Sequence, residues 1–166
     1  RSSLKPNLTV STTKPLELLH MDLCGPMRVQ SRGGKRYVFV IVDDYSRFTW
    51  TLFLATKDET FTMFEMFAKL VQKKFNKEII SIRSDHGLEF ENSQFLQFCT
   101  TNGIEHNFSA PRTPQQNGVV ERKNRTLEDI ARTMLISSKL PKFYWAEAVN
   151  TGCYLINRCM IRSCLL

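Results

Sequence analysis

The chain has 166 residues, 42% hydrophobic and 23% charged, which suits one folded core and excludes wholesale disorder. Its 23 Lys and Arg against 16 Asp and Glu leave a formal charge of +7, which favours a polyanionic partner without naming one. Five cysteines (Cys24, Cys99, Cys153, Cys159, Cys164) are odd in number and lack C-x-x-C spacing, which argues against a disulfide scaffold or a zinc site, and no apolar run reaches the length of a membrane span.

Residues 1–15 are polar, carry two prolines and read as a linker from an upstream domain; with no initiating methionine, the chain is expected to be cut from a longer one. LELLHMDLC (16–24) predicts a buried strand closed by Gly25-Pro26, and 27–35 a polar hairpin connection. RYVFVIVDDY (36–45) is the strongest strand signal, and FTWTLFL (48–54) the next. Only Ser46-Arg47 separates them, which predicts an antiparallel hairpin.

Across 59–75 the period switches to helical, with Phe64, Phe67, Leu70 and Val71 as the stripe. EIISIRS (78–84) is again a strand with Asp85 at its end. Residues 92–102 predict a helix with Phe95, Leu96 and Cys99 inward and Gly103 as C-cap, and 104–108 a short strand. A proline-containing loop (109–117) leads to a long amphipathic helix over 118–138. Its stripe is Val120, Leu127, Ala131 and Met134, joined by Ile130 and Leu135, and Asn117 is its candidate N-cap. A last helix over 142–158 would pack through Phe143, Trp145, Ala146, Val149, Tyr154 and Leu155. The pattern is a mixed α/β single domain whose strands need helical cover.

Three acids fall at the edges of these apolar elements. Asp22 interrupts the first strand, Asp85 ends the fourth and Glu121 begins the long helix. Carboxylates so placed suit a hard divalent cation. Phosphodiester chemistry uses such sets, because two ions about 3.5–4 Å apart can serve the attacking and leaving oxygens together. Singly, each acid reads as well as a turn, surface or helix-dipole residue.

What joins them is a resemblance. LELLHMDLCGPM, YVFVIVDDYSRFTW, IRSDHGLEF and SAPRTPQQNGVVERKNRTL, followed in register by ARTML and FYWAEAV, resemble the integrase core of copia-type long-terminal-repeat retrotransposons. The likeness runs from about Leu16 to Arg158, and thirty-five residues lie between Asp85 and Glu121, as in that family. It implies a ribonuclease H-like α/β fold, a five-stranded mixed sheet with helices on both faces. It also implies that Asp22, Asp85 and Glu121 are the catalytic, metal-binding triad of an Asp-Asp-Glu polynucleotidyl transferase. The cofactor would be Mg2+, with Mn2+ as substitute and two ions once DNA is bound. The reaction would be 3′-end processing of element DNA, then strand transfer into target DNA. Partners would be DNA and further copies of the chain, with action in the nucleus after a cytoplasmic particle. Residues 1–15 would then link to an N-terminal zinc-binding domain, 16–158 form the core, and 159–166 a divergent tail. The competing readings are a nuclease of the same fold cutting RNA–DNA hybrids, and a decayed remnant that only binds DNA or itself. Leu88 stands where the family motif has glycine, which predicts strain in the turn after Asp85 if that position is left-handed.

Around the triad, Arg122, Lys123 and Arg125 read as phosphate contacts or as a solvated basic helix end balanced by Glu128 and Asp129. Arg112 and Gln116 in the loop are candidate DNA contacts, and Asn117 a contact, a cap or both. Pro114 would restrict the loop, and Gly118 would allow close backbone approach. His86 could assist a water or order its turn. Asp43 and Asp44 read as hairpin structure with Arg47 as salt-bridge partner, and Cys24 as packing. Phe64, Phe67, Phe95, Phe98 and Trp145 read as core or subunit-interface groups.

Overall fold

The computed structural model describes residues 12–109 and 117–159. LLHMDLC forms β1 (Leu18–Cys24) and YVFVIVD forms β2 (Tyr37–Asp43); β3 (Thr49–Leu54) pairs antiparallel to β2, as β2 does to β1. β4 (Ser81–Ser84) and β5 (Glu105–Phe108) add in parallel on the other side, giving the order β3-β2-β1-β4-β5. α1 (Thr60–Phe75) connects β3 to β4, α2 (Ser93–Asn102) connects β4 to β5, and α3 (Gly118–Ser138) and α4 (Trp145–Cys159) follow.

Side chains alternate along a strand, so β2 sends Phe39 and Ile41 to one face and Val38, Val40 and Val42 to the other. The first pair packs with Leu19, Met21, Phe64 and Phe95 under α1 and α2. The valines pack with Val120, Leu127, Trp145 and Val149 under α3 and α4. This is the five-stranded mixed sheet, covered on both faces, that the sequence predicts. Pairing opposite Val42 and Val40 places His20 and Asp22 on the α3 and α4 face.

Helix ends follow local chemistry. Asn92 caps α2 by accepting from the Gln94 and Phe95 N–H groups, worth about 1 kcal/mol, and Gly103 closes it in the left-handed conformation as predicted. α3 keeps its predicted bounds. The last helix opens with a 3-10 turn at Lys142–Tyr144 before α4 proper. Gly25 has φ +133, and a Cβ there would stand 2.7 Å from the Arg36 carbonyl oxygen, so the start of the hairpin requires glycine.

Several expectations change. Leu70 (68% exposed) and Leu96 (69%) face outward, and Ala68 takes the inward place on α1. On α4 the buried set is Trp145, Ala148, Val149, Gly152, Cys153 and Ile156, while Phe143, Tyr154 and Leu155 are exposed. Gly152 is the close approach to α3: a Cβ would stand 3.0 Å from Ile130 Cγ2. The β2–β3 connection is longer than two residues, spanning 44–48 with Arg47 left-handed at φ 62. Residues 12–17, just before β1, are tied to the turn that follows β2. Thr12 is buried and donates to Asp44 (2.9 Å), and the Leu16 N–H donates to Asp43 (2.8 Å).

Candidate functional site

Parallel strands end side by side, and this brings two of the three acids together. β1 pairs with β4 in the register Leu18 to Ser81, Leu19 to Ile82 and His20 to Arg83. Two residues on, Asp22 comes abreast of Asp85, which follows the last residue of β4. Glu121 arrives from the opposite layer, in the first turn of α3, where its N–H donates to the Asn117 carbonyl (3.2 Å).

Asp22 is half-buried. Its Oδ1 accepts from the Leu23 N–H (3.0 Å), and its Oδ2 accepts from the Asn124 side-chain amide. Burial raises its carboxyl, the Asp85 charge raises it further, and Glu121 adds to both; against the two hydrogen bonds, the net result is about 6. That coupling brings all three acids into one electrostatic neighbourhood. Asp85 is exposed and accepts from the Gly87 N–H (3.1 Å). Among the described residues, no three His, Cys, Asp or Glu side chains stand close enough to hold one metal ion. The donor set still suits a hard cation: it is all oxygen, and its inner member is held under like-charge crowding that a divalent ion would relieve. The three side chains would have to draw together to share it.

Asn124 was not singled out in the sequence, although it lies three residues after Glu121 and so shares its helix face. Its nitrogen donates to Asp22, and its buried oxygen has no hydrogen-bond partner among the described residues. Cys24 approaches the same carboxylate, Sγ 3.8 Å from Oδ2; burial, then the Asp22 charge, push the thiol up to about 12, which makes it packing rather than a nucleophile.

The basic residues divide. Arg122 and Arg125 are exposed, and Arg125 lies one turn beyond Glu121 on the same face. Glu128 and Asp129 do not balance them, because both pair with Arg132 (3.1 and 3.4 Å). Lys123 is half-buried on the other side of α3; burial lowers its pKa, and the groups that act on it are Cys153 and Arg47, not the triad. Lys123 thus stands apart from Arg122 and Arg125, which are exposed. Asn117 is buried and makes no side-chain cap bond to α3, and its Oδ1 has no partner among the described residues. Gly118 admits the Arg122 guanidinium (3.1 Å from a Cβ) rather than a second backbone. Arg112, Pro114 and Gln116 lie outside the described residues.

The turn after Asp85 is unstrained at Leu88, which is 83% exposed and absent from the residues with positive φ, so leucine replaces glycine there without backbone penalty. His86 orders this turn, pairing with Glu91 (3.0 Å) and stacking on Phe108 at 5.0 Å. Behind it, Ser84 donates to the Asp85 carbonyl (2.9 Å) and pairs with His106 Nε2 (2.9 Å). One hydroxyl proton cannot serve both, so His106 donates from Nε2. Asp43 and Asp44 are structural as expected. Asp43 takes the Ser46 N–H (2.7 Å), and Asp44 bonds His20 (2.9 Å) and Arg47 (3.2 Å). Burial alone would raise Asp44, but the bonds from His20 and Thr12 and the Arg47 charge hold it well below the usual carboxylate range.

The model of the family described as "Integrase core domain" matches residues 12–114, a span that includes Asp22 and Asp85. The chain is 46% identical over 143 residues, 86% of its length, to the retrovirus-related Pol polyprotein from transposon TNT 1-94 of Nicotiana tabacum. It is 35% identical over 152 residues, 92% of its length, to that from transposon RE2 of Arabidopsis thaliana. It spans only about a tenth of these relatives, 11% and 10% of their lengths. Among solved structures, the HTLV-2 integrase catalytic core domain in complex with magnesium, in its dimeric form, superposes with a TM-score of 0.64 at 22% identity, covering 90% of this chain and 91% of that one. A chain of the simian T-cell lymphotropic virus intasome in complex with PP2A regulatory subunit B56 gamma gives 0.67 at 19%, covering 95% and 52%. The sheet and helices described above are thus the ribonuclease H-like architecture of those cores.

Proposed function

The chain belongs to the integrase core domain family, and from that we propose that it is the catalytic core of a copia-type retrotransposon integrase, carrying out 3′-end processing and strand transfer of element DNA. The observation that carries this reading is the electrostatic convergence of Asp85 and Glu121 on a half-buried Asp22. Carboxylates crowding at the ends of two central strands and the start of a helix are a poor device for stability and a good one for divalent cations.

In this reading Asp22, Asp85 and Glu121 hold Mg2+, or Mn2+ in its place, with two ions once DNA is bound. What the ions supply when bound is a more acidic attacking water or 3′ hydroxyl and relief of charge on the leaving oxygen. The protein's own residues do the positioning. The Leu23 N–H and Asn124 fix the two oxygens of Asp22, and the Gly87 N–H and Ser84 hold Asp85 at the end of β4. Arg122 and Arg125 grip phosphates along the exposed side of α3, with Arg112 and Gln116 as further DNA contacts. Such contacts orient DNA without reading its sequence. Two element ends must be joined together, so the working form contains more than one copy of the chain. The site of action is the nucleus, reached from a cytoplasmic particle. Residues 1–15 lead from a zinc-binding domain, although Thr12 onward packs with the core. No described helix is long and apolar enough to cross a membrane.

The test is strand transfer on a branched DNA that mimics the joined product, with Mg2+ or Mn2+, comparing wild type with Glu121→Gln. Activity lost in the variant supports a single working site. Cleavage of RNA–DNA hybrids in preference to element ends would favour the nuclease reading. A folded, DNA-binding but inert wild type would favour the remnant.

A further inference from the structure

Between the β1–β2 connection, α3 and the start of α4 lies a cavity of about 780 Å³, within the size range of small-molecule sites. Its floor is core material: Val38 and Val40 of β2, Leu127 and Ala131 of α3, and Trp145 and Val149 of α4. The Trp145 indole N–H already donates to the Val29 carbonyl (2.9 Å), so what that ring offers the cavity is apolar surface. The mouth is apolar too, with Val29, Ile136 and Leu140 lining it and exposed.

The charge around this surface is one-sided. Arg28, Arg132, Lys139 and Lys142 line the cavity, against Glu128 alone among the acids. Arg132 pairs with that Glu128 (3.1 Å), which leaves Arg28, Lys139 and Lys142 unmatched by any lining carboxylate. A purely apolar occupant would ignore these cations, and a chain of phosphates would leave the valine and leucine floor uncovered.

We infer that this cavity is a binding site for a small anionic amphiphile, a molecule with an aliphatic or aromatic body and one carboxylate or sulfonate head. The body covers Val38, Val40, Leu127 and Ala131, and the head meets Arg28 or Lys142 at the rim. None of the residues assigned above to metal or DNA lines the cavity. Asn124 does line it, so the occupant sits one side chain away from Asp22.

The probe is 8-anilinonaphthalene-1-sulfonate, titrated by fluorescence into the folded protein, with decanoate and decyltrimethylammonium as competitors below their micelle concentrations. The expected result is one saturable site from which decanoate displaces the dye at least tenfold more effectively than the cationic analogue. Arg28→Glu/Lys142→Glu should weaken dye and decanoate at least tenfold with an unchanged circular dichroism spectrum, and Ala131→Trp, which fills the floor, should abolish binding. Because Arg28 and Lys142 are exposed, the double variant decides the matter even if Ala131→Trp fails to fold. Absence of saturable binding to wild type, equal competition by the cation, or undiminished binding to the double variant would each overturn the assignment.

Discussion

Replacing Asp22 with asparagine should stabilise the metal-free protein. The folded chain holds Asp22 at about 6 against an ordinary 3.8, because burial and the Asp85 and Glu121 charges disfavour its ionised form. A shift of about two pH units corresponds to roughly 3 kcal/mol as an upper bound, and the partial exposure of the side chain reduces this to about 1–2 kcal/mol. Asparagine removes the charge and keeps an acceptor for the Leu23 N–H. Its amide can donate to Asn124 if that side chain turns its unpartnered oxygen inward. The sign follows from linkage. The penalty on wild type is fully present above pH 6, shrinks as pH falls through 6, and is gone below 3.8. In EDTA at pH 7.5, Asp22→Asn should therefore melt roughly 2–8 °C higher than wild type, and the gap should close towards pH 4. Mg2+ or Mn2+ should raise the wild-type midpoint and leave the variant's unchanged. A variant no more stable than wild type at pH 7.5, or a gap independent of pH, would refute the like-charge account of this site.

Arg125→Ala should weaken DNA binding uniformly across sequences and reduce the slope of log K against log salt by about 1, read from fluorescence anisotropy at several salt concentrations; an unchanged slope makes Arg125 ordinary surface. Lys123→Ala, on the other side of α3, should leave that slope unaltered in the same assay. Gly152→Leu should cost about 1–3 kcal/mol in urea denaturation, because its Cβ alone would already stand 3.0 Å from Ile130 and the α3–α4 seam cannot widen freely. Burial lowers His106 to about 4, so its ring should remain the neutral Nε2–H tautomer at pH 5.5 by nitrogen-15 NMR; a titration midpoint at or above 6.5 would contradict that environment.

The strands and the long helix were legible because their signals are local. β-branched runs wrote β2, and the 3.6-residue period wrote α3 to the residue. The errors share one cause. Leu70, Leu96, Tyr154 and Leu155 are apolar and adjacent to the true stripe, and hydrophobicity alone does not say which side of a helix the sheet covers. Packing chose Ala68, Ala148, Gly152 and Cys153 instead, small residues that let helices sit close but read weakly in sequence. Asn124 and Lys123 show the same limit at the site. Both lie on the helix that carries Glu121, yet the direction of each side chain depends on β1 and α4 being where they are. The structural role of Asp43 and Asp44 was readable from hairpin chemistry, but their grip on Thr12 and Leu16 was not, since it spans 27 and 32 residues of sequence.

The pairing of β1 with β4 has a consequence for how such chains can vary. Asp22 lies on β1 and Asp85 directly follows β4, so where their backbones meet is governed by the ladder between those strands, spaced about 4.8 Å apart. Between Cys24 and Ser81 the chain leaves that ladder, builds two further strands and a helix, and returns. Residues gained or lost in the 30–35 hairpin tip, or just after Asn76 at the end of α1, would be absorbed in the excursion and leave the two aspartates where they are. A single residue gained or lost within Ile82–Ser84 would be different: it would carry Asp85 out of step with Asp22 and turn alternate side chains of β4 to the wrong layer. Tolerance to insertion should therefore be steeply uneven along this chain, generous at those two connections and close to nil across three residues of β4.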